Sequence, residues 1–302
     1  MTERPHTERW AYRWLYTSRI FQFTTGLFVW LGRAGFRIVT HSVARFYAAT
    51  QPAIREVVRQ NLALVMDNPT NRDATQVFVN YGNSLGDYVA VGAMSESQVR
   101  SLCQEVVGFE HIEAAVKNGR GVILASGHLG FFEYGCVALG MRGMPISVVS
   151  QAEPSNELTE WRARWRRRWN AETVVVGEDS FSSLEIVRIL NSGRCTAVLV
   201  DRPISERGVT VRLPHGEIAF SVAPALLSWM TGAPIVPVSI ITLAGGNYKL
   251  TAHPPITAAR VPKEERDAEL RRCTLALAKP LIADIRENPL QWYQFVPVGK
   301  AL

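Results

Sequence analysis

Residues 121–135, GVILASGHLGFFEYG, constrain the fold of this chain more than any other stretch. The apolar run 122–125 reads as a short buried strand, Ser126 and Gly127 break it, and His128 follows in the turn. Residues 129–139 are apolar and aromatic with one charge, Glu133, which predicts a helix packed on both sides. A strand, a tight turn carrying a histidine and a helix place His128 where open α/β sheets hold their ligands. Glu133 lies five residues beyond His128 and cannot share a helical face with it. A chain bend before the first helical turn would nevertheless bring the two side chains together. A carboxylate accepting from one ring nitrogen would then fix the tautomer and leave the other nitrogen free as a base. The competing reading is a structural histidine, with Glu133 a partly buried charge held by an arginine.

The rest of the chain repeats this alternation. Residues 145–150, 173–176, 196–200, 209–213 and 235–241 read as strands, and residues 245–247 turn the chain back into a strand over 248–252. Helical periodicity covers 55–66, 74–94, 107–118, 156–170, 182–191, 219–230 and 263–286. Alternating strands and helices predict an α/β fold, a single domain with a mixed, largely parallel sheet flanked by helices. This domain is expected over residues 46–302, preceded by an N-terminal membrane-associating helix within residues 1–45. Residues 20–39, IFQFTTGLFVWLGRAGFRIV, are the most lipid-like stretch, but their uncharged part is too short to span a bilayer comfortably. With Trp10, Tyr12, Trp14 and Tyr16 set among arginines before it, the segment fits an interfacial anchor, a tilted span being the alternative.

Charge points the same way. Thirty-three Lys and Arg against 27 Asp and Glu give a net charge of +6, which favours anionic partners, an anionic membrane surface among them. The Arg/Trp-rich segment NELTEWRARWRRRWN, residues 156–170, concentrates this charge. It has no nucleic-acid reader motif, so nucleic acid is not an expected partner. The four cysteines and six histidines lack metal-ligand spacing, and neither a metal nor a cofactor is expected. No G-x-S-x-G nucleophile elbow is present, so His128 reads as a general base rather than as the partner of a nucleophilic serine. Backbone N–H groups over residues 127–130 are candidates for holding an oxyanion.

Several segments in order resemble the lysophospholipid acyltransferase superfamily, and within it the late acyltransferases of lipid A biosynthesis. His128-Leu-Gly-Phe-Phe-Glu133 is similar to their H-x4-E/D signature and VRQNLAL (residues 58–64) to V-x2-N-L. Gly216, Ala219 and Ser221 resemble G-x2-A-x-T, TGAPIVP (231–237) a TGA-x-VP strand entry, and Gln291-Trp292 a C-terminal QW. Asp201 falls on the acidic residue that ends the preceding strand. The resemblance covers roughly residues 50–295. It implies a glycerolipid acyltransferase-like fold and transfer of a fatty acyl group from acyl carrier protein or acyl-CoA to a membrane lipid or glycolipid hydroxyl. It also implies a place at the cytoplasmic face of the bacterial inner membrane. His128 and Glu133 would be catalytic, and Arg167, Arg166, Asp201, Arg202 and Ser221 would bind substrate, Arg167 being the best match to the family's arginine. Departures from the pattern are Gln151 in place of an arginine, Pro214-His215 in place of an aromatic pair, and Pro203 in place of a second acid. These leave open an acceptor other than a lipid A precursor: another glycolipid, an amino lipid or an aryl polyene. A non-catalytic lipid-binding membrane protein is the reading from a different class.

Overall fold

The structure, a computed structural model, describes residues 18–153, 155–176, 181–203 and 208–301. The aromatic segment around Trp10 and Trp14 lies outside them. The chain opens with helices α1 (Ser18–Thr50), α2 (Pro52–Leu62) and α3 (Asn71–Ala93). A positive φ of 65° at Gly32 kinks α1, which runs along α3. Thr70 starts α3 with a capping box: its hydroxyl accepts from Asp73 N, and the Asp73 carboxylate accepts from Thr70 N. Helix α4 (Glu96–Ser101), strand β1 (Cys103–Val107) and helix α5 (Phe109–Lys117) lead to β2 (Val122–Ser126). Then follow α6 (Tyr134–Gly140), β3 (Ile146–Gln151), α7 (Asn156–Arg167), β4 (Ala171–Val176), α8 (Phe181–Asn191) and β5 (Cys195–Leu199). The last third comprises β6 (Gly208–Leu213), β7 (Gly216–Ser221), α9 (Ala223–Thr231), β8 (Ile235–Thr242), β9 (Tyr248–Ala252), α10 (Arg266–Glu287) and β10 (Gly299–Ala301).

Seven strands form the main sheet in the order β1-β9-β8-β2-β5-β3-β4. All neighbours are parallel except the β8–β9 hairpin. All five residues of β2, at the centre, are buried, as a strand covered by helices on both faces must be. One core layer packs Leu124, Val137, Leu139, Ile146, Trp165 and Tyr248 between the sheet and the helices from α3 to α7. The other packs Ile123, Val174, Leu190, Ile235, Leu277 and Leu281 against α8 and α10. A small antiparallel sheet, β10-β7-β6, stands beside the main one.

The single α/β domain with a mixed, largely parallel sheet is therefore as the sequence predicts, and three local expectations change. The helix predicted over 129–139 starts only at Tyr134. Gly130 has φ +57°, and a Cβ there would overlap the Ile240 carbonyl, so the chain turns close against β8 before the helix can begin. The helix predicted over 219–230 starts at Ala223, with Pro224 in its first turn. The preceding Gly216–Ser221 alternates buried and half-buried residues as a strand does. Edge strand β1, four of its five residues exposed, carries no such alternation and falls outside the predicted elements except for Val107, the first residue of the helix predicted over 107–118.

Candidate active site

The parallel pairing of β2 with β5 sets Ser126 beside Leu199, and Val200 N donates to Ser126 O at 2.8 Å. Two residues past each strand end come His128 and Asp201, so the register alone brings them side by side at the carboxyl edge of the sheet. Ser221 N donates to the Val200 carbonyl at 2.8 Å, fixing the Asp201 backbone from the other side. Ser221 thus acts through backbone, its hydroxyl accepting from Ala223 N at 3.3 Å.

The segment after α10 closes over this edge. Gly130 N donates to Gln291 O at 2.9 Å and Tyr293 N donates to His128 O at 2.8 Å. Trp292 Nε1 and Gln294 Nε2 each donate to Asp201 Oδ2 at 2.8 Å, and His128 N donates to the same oxygen at 2.9 Å. The other oxygen, Oδ1, lies 2.7 Å from His128 Nδ1. Asp201 is 1% exposed. Burial pushes its carboxyl up, but His128 and these donors outweigh burial and hold it at about 2.

Arg202 sets the ring's tautomer. Its Nη2 lies 2.8 Å from His128 Nε2, and a guanidinium can only donate. Nε2 therefore carries the lone pair and Nδ1 the hydrogen, which it donates to Asp201. The lone pair of Nε2 thus sits beside a permanent cation, on an imidazole whose other nitrogen is held by a buried carboxylate.

Glu133 has a different partner. The sequence spacing paired it with His128, but both ring nitrogens are engaged elsewhere, and the carboxylate at the ring is Asp201. Glu133 is buried at the N-terminal end of α6 and receives two hydrogen bonds from Arg166, one from Nη2 and one from Nε at 3.0 Å. Burial pushes the Glu133 carboxyl up, and the Arg166 charge pulls it down to about 2. Arg166 also donates to Thr173 Oγ1 at 3.1 Å. Next to this pair, Arg162 bonds Glu153 and the Tyr88 hydroxyl, the latter at 2.8 Å. Arg167, the family's expected arginine, is exposed at the end of α7 and does not border the site; Arg166 does.

His128, Arg202, Glu133, Arg166 and Arg162 all border one cavity of about 450 Å³. From the polar mouth it runs between α6 and the sheet, walled by Leu124, Leu139, Ile146, Val148, Ala197 and Ile240. Its size falls within the range of small-molecule sites, and its walls suit a hydrocarbon. Of the backbone N–H groups expected for an oxyanion, those of His128 and Gly130 are already engaged, by Asp201 and the Gln291 carbonyl. The roles of Trp292 and Gln294 were missed in the sequence, where only the Gln291-Trp292 pair stood out. The available signal was three side chains with N–H donors, Gln291, Trp292 and Gln294, in an otherwise aromatic and apolar tail, which need acceptors once buried.

Three curated relatives align with most of the chain. Phosphatidylinositol mannoside acyltransferases of two Mycobacterium tuberculosis strains, CDC 1551 / Oshkosh and H37Rv, are each 21% identical over 248 residues, 80% of this chain and 76% of theirs. The protein of the same name from Mycolicibacterium smegmatis is 22% identical over 247 residues, 80% of this chain and 78% of its own. A family model described as bacterial lipid A biosynthesis acyltransferase matches residues 2–298, nearly the whole sequence, and the chain belongs to that family.

Proposed function

We propose that this acyltransferase moves a fatty acyl group from an acyl thioester, carried by acyl carrier protein or CoA, to a hydroxyl of a membrane glycolipid. The observation that carries this reading is a histidine with a fixed tautomer at the polar mouth of a hydrocarbon-walled cavity. The acyl chain occupies the cavity with the thioester carbon at the mouth. His128 Nε2 takes the proton of the acceptor hydroxyl as its oxygen bonds to that carbon. The tetrahedral intermediate then collapses, the C–S bond breaks, and the proton passes from His128 to the departing thiolate. Asp201 holds the imidazole and stabilises its charged form, and such a positioned base contributes about 10² to 10⁴ in rate. Arg202 must leave Nε2 for the acceptor to enter, and its charge is then free to stabilise the oxyanion. Glu133 keeps the buried Arg166 in place at the mouth. No enzyme nucleophile is required. Cys136 borders the cavity, but burial and the neighbouring Glu133 charge push its thiol well above the ordinary range.

A glycolipid acceptor is supported by the relatives, which are named for acylating a phosphatidylinositol mannoside. An acceptor other than a lipid A precursor is favoured by Gln151, which lies on the cavity border where the resemblance leads one to expect an arginine. Membrane contact is supported by α1, whose outward residues Phe23, Val29, Trp30, Ile38 and Phe46 are 69–81% exposed. Among the described residues no helix is long and apolar enough to cross a membrane, so α1 is read as lying in the interface. A donor on acyl carrier protein or CoA places the site on the cytoplasmic side. The test is to incubate bacterial membranes with isotope-labelled acyl thioester and the purified protein, then analyse the lipids by mass spectrometry. Label in one lipid class, absent with His128→Ala, is expected. Thioester hydrolysis to free acid with no labelled lipid would refute the reading.

A further inference from the structure

A second pocket, of about 150 Å³, shares one lining residue, Tyr293, with the cavity that His128 borders. It opens between α1, α3 and the β8–β9 turn, and it is lined by Arg37, Asn80, Asn83, Thr242, Gln291 and Tyr293 among others. Its charges are unbalanced. Asp87, 3% exposed on α3, faces two guanidiniums, its Oδ1 standing 3.9 Å from Arg33 and 4.0 Å from Arg37. Both distances exceed hydrogen-bond length. Arg37 Nη1 is buried without a hydrogen-bond partner among the described residues, whereas the Asp87 carboxylate also faces the Tyr248 hydroxyl. The Arg37 side chain is half-buried overall, but a buried guanidinium N–H without an acceptor is costly until one completes it.

The surroundings are built to leave that donor open. Arg33 is anchored through a hydrogen bond to the Gly246 carbonyl. Gly246 has φ +84°, and a Cβ there would overlap Arg37 Nη1, so the turn gives up a side chain to admit the guanidinium. Thr40 Oγ1 lies 3.0 Å from Asn83 Oδ1 and 3.1 Å from Arg37 O, and when its one hydrogen goes to Asn83 the amide's N–H groups are left as donors to the pocket. Asn80 and Gln291 are occupied elsewhere, Asn80 donating to Leu290 O at 2.9 Å and Gln291 bridging the Thr242 N–H and carbonyl, so they serve as rigid walls. The pocket thus combines net positive charge with convergent donors and has room for a group of a few heavy atoms.

We propose that this pocket binds a phosphate group, with Arg37 as the principal ligand, Arg33 adding charge and Asn83 donating a further hydrogen bond. A planar guanidinium and an amide match the oxygens of a tetrahedral anion. Arg37 sits on α1 next to Ile38, one of the exposed residues of the membrane-facing side, so a lipid headgroup and a free phosphate ion can both reach it. Only the lipid source rests on the acyltransferase reading given above.

The test is thermal stabilisation of the full-length, detergent-purified protein by inorganic phosphate, with ionic strength held constant by chloride. Wild type should show a saturable rise in Tm. Arg37→Gln should weaken the apparent affinity at least about tenfold, the loss expected for a hydrogen-bonded charge. Arg45→Gln, at an exposed position of the same helix, should titrate as wild type. Asp87→Asn removes the competing carboxylate and should tighten binding, which keeps the test open if Arg37→Gln does not fold. Nanodiscs containing phosphatidic acid, compared with phosphatidylcholine nanodiscs plus free phosphate, separate the two sources, and a response to either keeps the site. His128→Ala should respond as wild type, so that failure of the catalytic reading and failure of this site are told apart. The proposal is overturned if wild type does not distinguish phosphate from chloride, if Arg37→Gln titrates as wild type, or if Asp87→Asn fails to bind more tightly.

Discussion

Replacing Asp201 by asparagine should invert the tautomer of the His128 imidazole, the proposed base, without disturbing its surroundings. Oδ2 of Asp201 accepts from three donors: His128 N, Trp292 Nε1 and Gln294 Nε2. An asparagine must place its one oxygen there, because an NH2 group facing three N–H donors would leave four buried donors unmatched. Its Nδ2 then faces His128 Nδ1 and donates to it, which forces the ring hydrogen onto Nε2. The nitrogen that should take the acceptor's proton becomes an N–H, and it points at the Arg202 guanidinium. In a Ser-His-Asp hydrolase the equivalent exchange costs about 10⁴ in kcat. A base that contributes about 10² to 10⁴ sets the ceiling here, so Asp201→Asn should lower kcat/KM by about 10³ to 10⁴, or about 4 to 5.5 kcal/mol of transition-state stabilisation. The assay is release of free thiol from acyl-CoA or acyl-acyl carrier protein by detergent-purified protein with lipid acceptor present, alongside a melting curve. A fall of less than tenfold in a variant that melts as wild type would refute the assignment of Asp201 as the orienting carboxylate.

Other outcomes follow from the same contacts. Glu133→Gln leaves the buried Arg166 charge without its counter-charge and should destabilise the fold by about 3 to 5 kcal/mol in urea titrations, with a smaller effect on kcat in protein that remains folded. Ala197→Phe projects a ring into the hydrocarbon-walled cavity and should shift donor preference toward shorter acyl chains, read from kcat/KM over a thioester length series. The carboxyls of Asp201 and Glu133, both at about 2 in the folded protein against about 3.9 and 4.3 unfolded, contribute stability that is complete above about pH 5. That contribution is lost as pH falls toward 2, so the urea midpoint should drop over this window, and less steeply in Glu133→Gln. Trp30→Asp with Phe46→Asp puts two charges on the outward face of α1 and should reduce flotation with anionic liposomes, whereas flotation equal to wild type would contradict an interfacial α1.

Elements with strong periodicity were legible in the sequence. The apolar runs of β2, β3, β5 and β8 and the helices between them sufficed for a single, largely parallel α/β domain. The position of His128 followed from the same reasoning, because a break after a buried strand places the next residues at the sheet edge. Its partner did not. His128 and Asp201 are 73 residues apart, and only the β2–β5 register makes them neighbours. Spacing therefore favoured the nearby Glu133 and could not foresee that Gly130 would turn the chain and leave that carboxylate to Arg166. The α7 arginines show the same limit. Arg166 and Arg167 are adjacent in sequence, but about 100° of helical rotation buries one and exposes the other. The roles of Trp292 and Gln294 depend on a tail crossing the sheet edge, a non-local contact that leaves no local pattern.

The central claim is that His128 is the base for direct acyl transfer, and single-turnover kinetics with radiolabelled acyl thioester tests it most directly. Wild type and His128→Ala of matched melting temperature are mixed with acceptor lipid, quenched over time, and separated into thioester, protein-bound and lipid-bound label. The account predicts that label passes from thioester to lipid in wild type with none held covalently by the protein, and that the rate falls by about 10² or more in His128→Ala. Covalent label on the protein that decays as labelled lipid appears, or a His128→Ala rate within tenfold of wild type, would contradict it.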